Sequence, residues 1–169
     1  IILSLILVFL SSMFINPLRV GTDIISDNDT FENLKNIDEE DSGVWMLEEI
    51  NHPIVKNLFP MYGLKTINSV NIYPNIELWS RIDEDGKYED VYNRYAHIKM
   101  VIDSRIDNAE FVLQKPDSFT VKITEDDLKS LEIKYIVRNV YEKDLVLNNG
   151  IIVNEIYKDD LYKVYKLDY

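Results

Sequence analysis

The 169-residue chain contains no cysteine, five glycines and two histidines. The absence of cysteine excludes disulfide bonds, cysteine-ligated zinc and a cysteine nucleophile. The sequence has no glycine-rich phosphate loop, no dinucleotide-binding turn, and no H-E-x-x-H or G-x-S-x-G motif. His52 and His97 are too few for a three-histidine zinc centre. We therefore predict no metal site and no cofactor, and the sequence identifies no catalytic residue.

Positive charge is also scarce. The chain has 18 lysines and arginines against 30 aspartates and glutamates, which gives a net charge of −12. Nucleic acids are bound by clustered lysine and arginine, so we predict no nucleic-acid partner. Hydrophobic residues make up 46% of the chain and charged residues 28%. This composition and length are typical of one folded domain.

The charges are absent from one segment, residues 1–18. Its first fifteen positions are apolar except for three serines. A helix of that length spans about 22 Å, less than the ~30 Å hydrocarbon core of a bilayer. We predict that residues 1–18 form the C-terminal part of a transmembrane helix, ended by Asn16-Pro17. The alternatives are a signal peptide, for which a small-x-small cleavage site is lacking, and a buried helix of a soluble fold.

The segment that follows carries mostly negative charge. Residues 19–38 contain two basic and five acidic side chains. Cytoplasmic flanks of membrane helices are usually enriched in lysine and arginine. We therefore predict that residues 19–169 lie on the extracytoplasmic side of a cell membrane.

Residues 19–169 alternate between strand-like and helix-like patterns, without repeats or an internal linker. We predict strands at 43–47, 64–67, 98–102, 110–113, 119–123 and 133–137, and a terminal hairpin of 151–157 with 161–167. We predict helices at 31–37, 53–62 and 125–131, and two helices within 76–97 that are broken at 83–86. The fold class is α/β: a single compact domain with a mixed sheet and short flanking helices.

Amide, aromatic and basic side chains concentrate in residues 68–97. Aromatic faces stack on the C–H-rich faces of sugars, amides bridge hydroxyl groups, and a guanidinium binds phosphate with two hydrogen bonds. The candidate ligand-binding residues are Asn68, Asn71, Tyr73, Trp79, Arg94 and His97. The simpler interpretation is that the tyrosines at 88, 92 and 95 form the core face of a helix, on which Arg94 pairs with Asp90.

Four segments carry a resemblance to a known family. They are N-P-L-R-V-G at 16–21, N-S-V-N-I-Y-P-N-I-E-L-W at 68–79, K-Y-E-D-V-Y-N-R-Y-A-H-I at 87–98 and L-x-x-L-x-I-K-Y-I-V at 128–137. In the last segment Glu132 stands where the family usually has glycine. The chain resembles the C-terminal extracytoplasmic region of large bacterial polytopic membrane proteins that are similar to GT-C-fold glycosyltransferases, including the YfhO-like group.

This resemblance implies that the parent protein acts on lipid-linked sugars in cell-envelope glycan assembly. In that superfamily the catalytic acid usually lies in a loop between early transmembrane helices, so this domain would lack it. The expected partners are the membrane, through residues 1–18 and further upstream spans, and a glycan or lipid-linked sugar. The alternative is a non-enzymatic ligand-sensing or adhesive surface domain on a single membrane anchor.

Overall fold

The computed structural model describes residues 2–13, 28–50 and 52–169. The helices are α1 (Ile2–Met13), α2 (Asp29–Glu40), α3 (Pro53–Met61), α4 (Ile76–Trp79), α5 (Glu89–Tyr92) and α6 (Asp127–Ser130). The strands are β1 (Val44–Leu47), β2 (Val70–Asn71), β3 (Ala96–Ile102), β4 (Glu110–Lys115), β5 (Ser118–Ile123), β6 (Ile133–Asn139), β7 (Ile152–Lys158) and β8 (Tyr162–Asp168). The predicted α/β class with short helices is confirmed.

The predicted membrane segment begins with α1, whose side chains at positions 2–4 and 7–9 are exposed. Among the described residues, no helix has the length and apolar character needed to cross a membrane. Residue 1 and residues 14–18 of the predicted segment lie outside the described part of the chain. The transmembrane assignment therefore stays a prediction.

The strands form two mixed sheets, where a single one was expected. The first has the order β1-β6-β8-β7, with β1 parallel to β6 and the other pairs antiparallel. It contains the predicted terminal hairpin, β7–β8. The second has the order β2-β3-β5-β4, with β3 parallel to β5 and antiparallel strands at both edges.

The two sheets meet where β1 ends. The backbone N–H of Glu48 donates to Val137 in the first sheet at 2.9 Å, and that of Glu49 donates to Met100 in the second at 3.3 Å. The buried Glu48 carboxylate forms an ion pair with Arg138 at 2.9 Å and accepts from the Ile102 N–H at 3.2 Å. Burial raises the pKa of Glu48, and Arg138 opposes that rise. The buried Glu48 carboxylate thus contacts both sheets, through Arg138 in the first and Ile102 in the second.

The elements between β1 and β3 differ from the sequence-based expectation. The segment 64–67 is extended but forms only a bridge from Thr66 to Trp45. The second helix of the 76–97 segment ends at Tyr92, and β3 begins at Ala96, so Tyr95 and His97 are not helical. The helical apolar spacing extends to Tyr95, but pairing of the following residues with β2 and β5 overrides this local pattern.

Candidate functional site

Two of the predicted ligand-binding residues are buried, and their side chains contact other residues of the core. Asn68 is fully buried, where its side-chain oxygen accepts from the Leu47 N–H at 2.9 Å and its amide donates to the Leu47 carbonyl at 2.8 Å. Trp79 is also fully buried, with its ring edge-on to Phe111 and Phe119. A stacking role for Trp79 requires an exposed ring face, so that prediction is corrected: Trp79 is a core residue.

Of the other four predicted residues, Tyr73, Arg94 and His97 are at least partly exposed. Asn71 is in β2 opposite Ala96, and Tyr73 is 84% exposed. Arg94 donates to the backbone carbonyls of Asp90 and Pro116, in place of the predicted pairing with the Asp90 carboxylate. His97 is half-buried in β3 and lines an open groove. Of the predicted residues whose side chains the structure describes, only His97 lines this groove.

We call this groove the lysine groove. It has a volume of about 570 Å³. Its lining residues are Lys56, His97, Lys99, Gln114, Lys115, Asp117, Ser118 and Thr120. Three lysines and one aspartate therefore face a common space in a chain whose net charge is −12.

The parallel pair β3–β5 forms the floor of the lysine groove. His97 is in register with Ser118, and Lys99 is in register with Thr120. Alternate residues of a strand point to opposite faces of its sheet. The intervening residue, Ile98, is therefore in the core, and the polar residues on either side of it share the outer face.

Lys56 reaches the groove from α3. Its side chain is 4% exposed and its ammonium donates to the backbone carbonyl of Ile98 at 2.6 Å. Burial, together with the nearby ammonium of Lys99, lowers the pKa of Lys56 from 10.5 to about 8. Lys56 lies one turn before the buried Phe59, on the core-facing side of the helix. Sequence reasoning missed this residue, although a lysine at a core-facing helical position was a readable signal.

The positive charges of the groove are weakly compensated. The ammonium nitrogen of Lys99 lies 4.0 Å from a carboxylate oxygen of Glu49. Within the described ranges, neither Lys56 nor Lys115 takes part in an ion pair. Burying an ammonium without a counter-ion is unfavourable, and such groups are concentrated at functional sites. An anionic ligand would supply the missing negative charge.

A second open groove, of about 820 Å³, lies beside the loop before α5. Six acidic side chains line it, and the guanidinium of Arg105 donates to the carboxylate of Asp103 at 2.7 and 2.9 Å. This groove therefore attracts an anion less strongly than the lysine groove does.

No cluster of three or more histidine or acidic side chains in the described part of the chain is placed to hold a metal ion.

Comparison with known proteins gives one match. A family model described as "Domain of unknown function (DUF7654)" covers residues 24–169, which include both sheets and the lysine groove. No curated protein and no solved structure matches the chain.

Proposed function

We propose that this chain, which belongs to the family described as a domain of unknown function (DUF7654), binds the phosphate group of a lipid-linked sugar in the lysine groove. The observation that carries the proposal is the buried ammonium of Lys56, which has a backbone carbonyl and another cation as neighbours but no carboxylate partner among the described residues. A bound phosphate would neutralise this charge.

The lining of the groove suits a phosphate group in particular. A phosphate has several strong acceptor oxygens and carries up to two negative charges near neutral pH. Lys56, Lys99 and Lys115 supply ammonium donors, and the hydroxyl groups of Ser118 and Thr120 supply neutral ones. Charge-assisted hydrogen bonds of this kind are about twice as strong as neutral ones.

The proposed setting is the extracytoplasmic C-terminal domain of a polytopic membrane protein similar to GT-C glycosyltransferases. The uncharged residues 1–18, the acidic flank at 19–38 and the sequence resemblance support this setting. In it, this domain holds the phosphate-bearing ligand, and sugar transfer takes place in the membrane part of the protein.

Calorimetric titration of the 169-residue chain with inorganic diphosphate tests the binding site. Lys99→Met and Lys115→Met should each weaken binding about 10- to 100-fold, because each removes one charge-assisted contact. Lys143→Met is the matched control, since it removes the same charge from an exposed position outside the groove. An equal loss in all three variants, or no binding by the unmodified chain, would contradict the proposal.

A second titration tests the lipid-linked part of the proposal. Polyprenyl phosphate in detergent micelles should bind with the same dependence on Lys99 and Lys115 as diphosphate does. Binding of diphosphate without binding of polyprenyl phosphate would show that the groove takes a soluble phosphate compound and that the lipid-linked ligand is wrong.

A further inference from the structure

An exposed aromatic ring lies next to the lysine groove. Tyr95 immediately precedes β3 and is 46% exposed. Its ring contacts the ring of His97 edge-on, with centroids 5.9 Å apart and an angle of 80° between the ring planes. Because His97 lines the groove, the ring of Tyr95 lies beside the groove and contacts one of its lining residues.

The segment that carries Tyr95 is fixed to the turn between β4 and β5. The guanidinium of the preceding residue, Arg94, donates to the carbonyl of Pro116 at 3.3 Å. Pro116 lies in the turn between Lys115 and Asp117, both of which line the groove. This hydrogen bond holds the segment that carries Tyr95 against the turn at Pro116. A site that is preformed in this way loses little conformational entropy when a ligand binds.

The chain has a structural reason to place this tyrosine outside the core. Tyr92, one turn earlier, is buried and packs on Phe111. The helix α5 ends at Tyr92, and the chain then enters β3 at Ala96, so Tyr95 leaves the apolar face that the helical spacing predicted. The solvent-accessible part of its ring is available to a ligand, which the ring of Trp79 is not.

We infer that Tyr95 forms a sugar-stacking subsite of the lysine groove, so that the ligand is a sugar phosphate whose sugar packs on Tyr95 and whose phosphate lies among the lysines. The inference rests on the proposed function. Tyr95 contacts His97, and His97 is in register with Ser118, so the ring of Tyr95 lies at one end of the groove floor. The tyrosine ring packs against the apolar face of the sugar.

Titrations of the 169-residue chain with inorganic phosphate and with glucose 1-phosphate test the subsite. The unmodified chain should bind glucose 1-phosphate about five-fold more tightly than phosphate, because a stacked aromatic contact contributes a modest gain. Tyr95→Ala should bring the ratio of the two affinities close to one, and Tyr95→Phe should retain it. Tyr141→Ala, at a position that is 88% exposed and outside the groove lining, should also retain it.

The outcomes separate this inference from the proposed function. If the unmodified chain binds neither compound, the phosphate site itself is wrong. If it binds both with equal affinity, or if Tyr95→Ala leaves the preference for glucose 1-phosphate intact, the phosphate site stands and the sugar subsite is wrong.

Discussion

Replacing Lys56 by methionine tests whether the groove contains an unfavourably buried ammonium. The pKa of Lys56 falls from 10.5 to about 8 in the folded chain, and each unit of such a shift corresponds to about 1.4 kcal/mol. The upper limit of the destabilisation at pH 7 is therefore about 3 kcal/mol, and residual hydration reduces it to about 2 kcal/mol. Methionine has a similar length without the charge, so we expect Lys56→Met to raise the free energy of unfolding by about 1–2 kcal/mol at pH 7.

The pH dependence gives the sharper test. Below pH 8 Lys56 is protonated in both the folded and the unfolded chain. Between pH 8 and 10.5 the unfolded chain keeps this proton and the folded chain loses it, so stability rises with pH in this window. Lys56→Met should lack this rise. Urea unfolding at pH 7, 8, 9 and 10, followed by the fluorescence of the buried Trp45 and Trp79, measures it.

Lys99→Met provides an internal check on the same measurement. The ammonium of Lys99 is the second cause of the lowered pKa of Lys56, so its removal should raise that pKa and move the rise in stability to higher pH. If the free energy of unfolding changes with pH in the same way for the unmodified chain and Lys56→Met between pH 8 and 10, the lowered pKa of Lys56 is contradicted. Lys56 would then be hydrated in the folded state.

Two further substitutions test the assignment of predicted site residues to the interior. Trp79→Ala should lower the free energy of unfolding by about 3–5 kcal/mol in urea titrations, because it leaves a cavity against Phe111 and Phe119; a loss below about 1 kcal/mol would contradict its core position. Asn68→Ala should cost about 2–4 kcal/mol by the same measurement, because it leaves the N–H and carbonyl of Leu47 without partners; an unchanged midpoint would show that water replaces the amide.

Local patterns predicted the elements whose burial alternates along the chain. The segment 119–123 alternates apolar and polar residues, and it forms β5 with Phe119, Val121 and Ile123 in the core. The hairpin β7–β8 follows from two strand-like runs separated by a short charged turn. These features depend on residues close together in the sequence, which is why they were predictable.

The site depends on contacts between distant residues, which the sequence pattern does not contain. Asn68 looked like a sugar-binding amide, but its partner is Leu47, 21 residues away. Trp79 was predicted to stack on a sugar. The sequence around its short helix does not show that β4 and β5 cover its ring. Lys56 and Lys99 come together only because α3 packs on the second sheet. His97 was among the residues predicted from the sequence, whereas the three lysines that line the same groove were not.

Amide chemical-shift mapping with inorganic diphosphate shows directly whether a phosphate group binds in the lysine groove. Diphosphate is added to the isotopically labelled 169-residue chain, and the shifts of each backbone amide are followed. We expect saturable changes concentrated at residues that line the lysine groove, including Lys56, Lys99, Ser118 and Thr120. Changes centred on Arg105 in the acidic groove, or small changes spread over all exposed lysines, would contradict the proposal.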